Sequence, residues 1–122
     1  MRFDIEVLTQ SMLDAARGAV SNRWPKLRAL AEVELRKLAQ TLIDVQRLHA
    51  AGDIDAKRAR LLVQMQQNAA RSALGTVRGL GVLAAEQATE AAVGAVARLV
   101  NGVAKFKLLG EVQASFKAGK DL

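Results

Sequence analysis

From residue 55 to residue 109 nothing in the chain obliges a helix to stop: there is no proline and no run of polar loop residues. Read as one element, this stretch is a helix roughly 80 Å long at about 1.5 Å per residue. A compact domain of 122 residues has a radius of gyration of only about 14 Å. Either the helix breaks near Gly75, Gly79 and Gly81, or the molecule is elongated and is completed by copies of itself. The expectation taken forward is the long helix, kinked at the glycines.

Its composition is unusual. Sixteen of the thirty-six residues from 69 to 104 are Ala or Gly, and five of those are Gly. Each glycine inside a helix costs about 0.8–1 kcal/mol relative to alanine, so the segment needs a compensating gain. Close approach of another helix supplies one, because a backbone without Cβ atoms lets its neighbour come nearer. Gly75, Gly79, Ala84, Ala88, Ala91 and Ala95 are the expected packing interface, with Val93, Val96, Val100 and Val103 giving an adjacent apolar face.

The rest of the chain reads as helix too. Hydrophobic residues make up 51% of it but aromatics only 3%, so Ala, Val and Leu carry the core, and strand-forming patterns are missing. A first helix is expected over about 3–22, on a stripe of Ile5, Leu8, Met12, Ala15 and Ala19, closed by Asn22 in the left-handed conformation. Trp24-Pro25 marks the next turn. A second helix, about 25–51, places Ala31, Leu35, Leu38, Leu42 and Val45 at coiled-coil spacing, widened by Leu27, Leu30 and Ile43, with Glu32 and Arg36 as an i,i+4 pair. Gly52 stops it, and Asp53 or Asp55 caps the next helix, which predicts an antiparallel hairpin. Residues 110–122 form an amphipathic tail. Across the C-terminal segment that includes it, Phe106, Leu109, Val112 and Phe116 lie at helical spacing among Lys105, Lys107, Lys117 and Lys120, a pattern that docks on its own bundle or on a neighbour's. The fold class is therefore all-α: a single domain of helical hairpin or bundle type with one long Ala/Gly-rich third helix, elongated and self-associating.

The net charge is +6, concentrated between residues 17 and 78. On the third helix Lys57, Arg60, Arg71 and Arg78 fall on one stripe with Gln64 and Gln67, opposite Leu62, Met65, Ala69 and Ala73. Such a stripe can follow a phosphate backbone or an anionic membrane surface, with strong salt dependence. It lacks interleaved aromatics, so sequence-specific reading is not expected.

Chemistry-bearing motifs do not emerge. The absence of cysteine removes disulfides and thiolate ligands. His49 is the one histidine, placed near a helix C-terminus in a structural role. Glu86 and Glu90 share a helix face, but no Glu-x-x-His partner accompanies them. Ser11, Ser21, Ser72 and Ser115 have no nucleophile elbow around them, and the Gly75 to Gly81 glycines follow no strand. No catalysis, cofactor, metal or small-molecule substrate is expected. Nor is a transmembrane span: Glu86 and Glu90 would add on the order of 5–7 kcal/mol at mid-bilayer.

The N-terminus has no apolar signal core, so the location expected is cytoplasmic, or virion-internal for a phage component. The leading functional expectation is a non-enzymatic assembly protein forming a helical homo-oligomer, such as a phage, secretion or scaffold component. The alternatives are a membrane-active protein whose small-residue helix inserts after oligomerising, and non-specific nucleic-acid binding by the basic stripe.

Overall fold

The computed structural model describes residues 4–109, and every regular element among them is helical. Four helices carry the fold: α1 (Ile5–Val20), α2 (Trp24–Ala50), α3 (Ala56–Leu74) and α4 (Val82–Ala104).

Local chemistry sets most of their ends. Asp4 caps α1, its carboxylate accepting from the Val7 N–H at 2.9 Å. The stop expected at Asn22 falls one residue earlier, on Ser21, whose φ of 52° is paired with ψ −112°, outside the left-handed helical conformation. A single 3-10 turn, Ser21–Arg23, then leads into α2, where Pro25 occupies the first turn and gives up an amide that has no partner there anyway. Gly52 (φ 81°) closes the α2–α3 connection, and the Asp55 carboxylate accepts from the Arg58 N–H at 2.7 Å to start α3.

The single helix expected over residues 55–109 is two helices. α3 ends at Leu74, residues 75–81 turn the chain back, and α4 begins at Val82. The cause is visible in the backbone. Gly79 and Gly81 take φ values of 84° and 87°, and Gly81 has ψ 154°, a conformation open almost only to glycine. Leu80, between them, is buried in the core. Three of the five glycines thus make a turn instead of lining a helix contact, and no 80 Å rod exists.

Folding back lets the chain cover its own small-residue helix. α4 packs most extensively on α1, and α2 on α3; the α3–α4 contact is much thinner. Along α2 the expected core positions Leu27, Ala31, Leu35, Leu38, Leu42 and Val45 are all buried. The other stripes rotate. α1 buries Leu8, Thr9, Met12, Ala16 and Val20, leaving Ala15 half-buried and Ala19 exposed. That row steps mostly by four, the ridge used when helices pack side by side at an angle, whereas alternating steps of three and four suit one coiled-coil seam. α3 buries Ala59, Val63, Ala70 and Leu74, so Met65 and Ala69, expected on the apolar side, face water. Arg36 also leaves its expected partner. It crosses to Glu6 of α1 in a two-pronged pair at 2.7 and 3.2 Å, and Glu32 pairs with Arg28 at 3.0 Å.

Candidate functional site

The helices alternate in direction, so the two ends of the molecule are built from different residues. The lower end gathers the α2–α3 turn and the close of α4, with α1 starting short of it beside the middle of α2, where Glu6 meets Arg36. At that end the chain after α4 is tied down at several points. Asn101 exchanges two hydrogen bonds with the Leu109 backbone, Nδ2 donating to its carbonyl at 3.0 Å and Oδ1 accepting from its N–H at 2.8 Å. Phe106 stacks on His49 with ring centroids 4.3 Å apart. The Arg60 guanidinium lies over the Phe106 ring, 5.4 Å from its centroid, and donates to the Lys107 carbonyl at 3.0 Å. His49 is accordingly a packing residue at a helix end. Of the amphipathic tail, Phe106 is half-buried and Leu109 buried; residues 110–122 lie outside the described residues.

These contacts dismantle the basic stripe. Lys57 and Arg60 belong to the lower end, and Arg60 is committed to the C-terminal turn. Arg71, half-buried, donates to Asn68 at 2.9 Å. Arg78 has left the helix altogether, because residues 75–81 form the turn. Between α3 and the C-terminal turn a small open groove remains, lined by Arg60, Val63, Gln64, Gln67, Lys107 and Leu108.

The expected small-residue interface is divided in the same way. Ala84 and Ala88 are buried, in a broad core face with Ala85, Thr89, Ala92, Val93, Val96, Ala97 and Val100. Ala91 is half-buried and Ala95 exposed. Gly75 caps α3, where a Cβ would reach only ordinary contact with Ala85 at 4.0 Å, and Gly79 lies in the turn. Two glycines that sequence reasoning did not single out stand apart. Gly94 and Gly102 lie within α4, both exposed, and a Cβ on either would meet nothing within 4 Å. Their periodicity was available as a signal, but which side of α4 faces outward was not.

The upper end gathers the 3-10 turn, the start of α2, the 75–81 turn and the start of α4. Val82 and Leu83 project there with 69% and 66% of their surface exposed. The Lys26 ammonium lies 3.1 Å from where a Gly79 Cβ would stand, so α2's first turn lies beside the 75–81 turn. Arg23, Lys26 and Arg78 are all exposed. Unlike Asp4 and Asp55 below, neither helix start here has a side-chain cap: Arg23 precedes α2 and Gly81 precedes α4.

One titration is shifted by this architecture. The hydrogen bond from Arg36, and then its charge, hold the Glu6 carboxyl below the ordinary carboxylate value. No group of three or more His, Cys, Asp or Glu able to hold a metal ion occurs among the described residues, and no helix among them is long and apolar enough to cross a membrane. Comparison with protein-family models, with curated proteins and with solved structures returned no match.

Proposed function

We propose that this chain is a non-enzymatic assembly module that pairs with a second copy of itself along the outer flank of α4. The observation that supports the reading is the pair of open glycines. Gly75, Gly79 and Gly81 are accounted for by the turn, whereas Gly94 and Gly102 weaken α4 by about 0.8–1 kcal/mol each relative to alanine. Nothing among the described residues fills the space they leave. A second helix approaching closely would.

The charges beside Gly94 fit such a contact. Glu90 and Arg98 each lie four residues from it, about 6 Å along the axis on either side. When two α4 helices cross antiparallel at Gly94, Glu90 of each faces the partner's Arg98. That is the self-complementary arrangement a two-fold interface requires. Exposed Ala95 and half-buried Ala91 extend the same flank.

Light scattering coupled to size-exclusion chromatography tests the reading at micromolar concentration. A dimer is expected. Gly94→Leu, for which the described residues leave room, should return a folded monomer. Glu90→Arg alone should weaken association, and Glu90→Arg combined with Arg98→Glu should restore it. A wild-type monomer, or a dimer indifferent to all of these substitutions, overturns the proposal.

A further inference from the structure

The upper end carries a second surface, independent of the α4 flank. We propose that this end docks on an anionic lipid surface, with Val82 and Leu83 entering the headgroup region and Arg23, Lys26 and Arg78 resting on the phosphates.

Residues 15–31 and residues 56–85 are two of the sequence's long stretches without Asp or Glu. They are far apart in the chain, and the fold brings the first turn of α2 from one against the 75–81 turn from the other, as the Lys26–Gly79 approach records. The end that results is cationic and has the two most exposed large aliphatic side chains of the described residues at its tip. The platform beneath them is fixed. Leu80 is buried, Val77 packs on the core, and the Thr76 hydroxyl donates to the Ala73 carbonyl at 2.6 Å. Val82 and Leu83 are therefore held out by a braced turn and need no refolding to insert.

Geometry and composition choose the partner. Aliphatic side chains flanked by Lys and Arg are the chemistry of an interfacial anchor, in which apolar groups enter the acyl boundary and cations meet anionic headgroups. A nucleic-acid backbone would use the cations but leave the aliphatics in water. A stable protein interface buries about 800 Å² on each partner, more than two side chains on a helix end present. Docking of this kind asks for no spanning helix, in keeping with the lengths and hydropathy of the four helices.

Vesicle co-sedimentation with the full chain tests the proposal, using phosphatidylcholine vesicles with and without phosphatidylglycerol. Trp24, the one tryptophan, is half-buried at this end and reports docking by a blue shift. The expected result is binding only when phosphatidylglycerol is present, weakening steeply with salt. Val82→Ser with Leu83→Ser should lower affinity at least about tenfold, and Lys26→Glu with Arg78→Glu should abolish binding. Because all four side chains are exposed, the unfolding midpoints should stay at the wild-type value. Equal binding to neutral vesicles, or undiminished binding by both double variants, overturns the proposal. So does a change of oligomeric state on Val82→Ser with Leu83→Ser without loss of vesicle binding, which would make the tip a protein interface. Substitution at Gly94 should leave vesicle binding by the monomer intact, so failure of the α4 pairing and failure of the tip are read separately.

Discussion

The two ends of this molecule solve the same problem differently. Each must satisfy the exposed amides at two helix starts and stop two helices. Toward the lower end side chains do the work: Asp4 and Asp55 accept from first-turn amides, Asn101 pins the Leu109 backbone, and Phe106 closes against His49 and Arg60. Positive φ turns the chain at both ends, at Gly52 and Lys105 below and at Ser21, Gly79 and Gly81 above, but neither upper helix start has a side-chain cap, and Val82 and Leu83 are left in solvent. The lower end spends its capping and aromatic groups on itself, although Leu48 and Leu61 stay exposed there. The upper end keeps its cations and its apolar tip available.

This contrast can be broken in graded steps. The largest effect is expected for Asn101→Ala, which removes two partly buried hydrogen bonds and strands both Leu109 backbone groups. A loss of about 2 kcal/mol in urea unfolding is the expected outcome; a loss below about 0.5 kcal/mol would mean the C-terminal turn is not anchored as described. At the upper end Gly81→Ala forces an alanine into a conformation reserved for glycine, and should cost about 1–2 kcal/mol by the same measurement. If it stabilises instead, the turn has been lost and α3 has run into α4, which hydrogen exchange across residues 75–81 would reveal. Asp55→Ala should cost about 1 kcal/mol by removing the α3 cap. An equal penalty at Arg23→Ala, where no cap exists, would erase the distinction between the ends.

The smallest effect concerns pH. The Glu6 carboxyl titrates below its ordinary value because Arg36 bonds and attracts its charged form. Its contribution to stability is complete above the unfolded-state value and is lost as pH falls through the lower folded-state value. Wild type and Glu6→Gln should therefore differ slightly at neutral pH and converge in acid. The pair is fully exposed and screened by solvent, and a gap that widens on acidification would contradict the assignment.

Several features were legible before any coordinates. Helicity follows from the scarcity of aromatics and proline; α2's core row follows from its spacing; Gly52 and Asp55 mark the α2–α3 turn by local backbone and capping chemistry. Neighbouring residues decide all of these. The α3–α4 break was harder to read. Residues 75–81 contain glycines but no proline or polar run, and whether glycine bends a helix or lines a close contact depends on what waits to be buried. Here Leu80 and the apolar face of α4 gain a core on α1 when the chain turns, a long-range gain that no local window contains. The basic stripe failed for the same reason, since extrapolating helical phase through residue 78 assumed a helix that ends at Leu74.

What the sequence by itself determined is a helical chain with charge segregated along it and with more small residues than one uncovered helix can justify. Tertiary structure decided which of those small residues the chain covers for itself. It also decided that acid-free stretches separated by residues 32–55 meet at one end. Periodicity identifies the faces a helix has, but only the packing of its neighbours selects the face that remains in water. Gly94, Gly102, Val82 and Leu83 are among the residues left there.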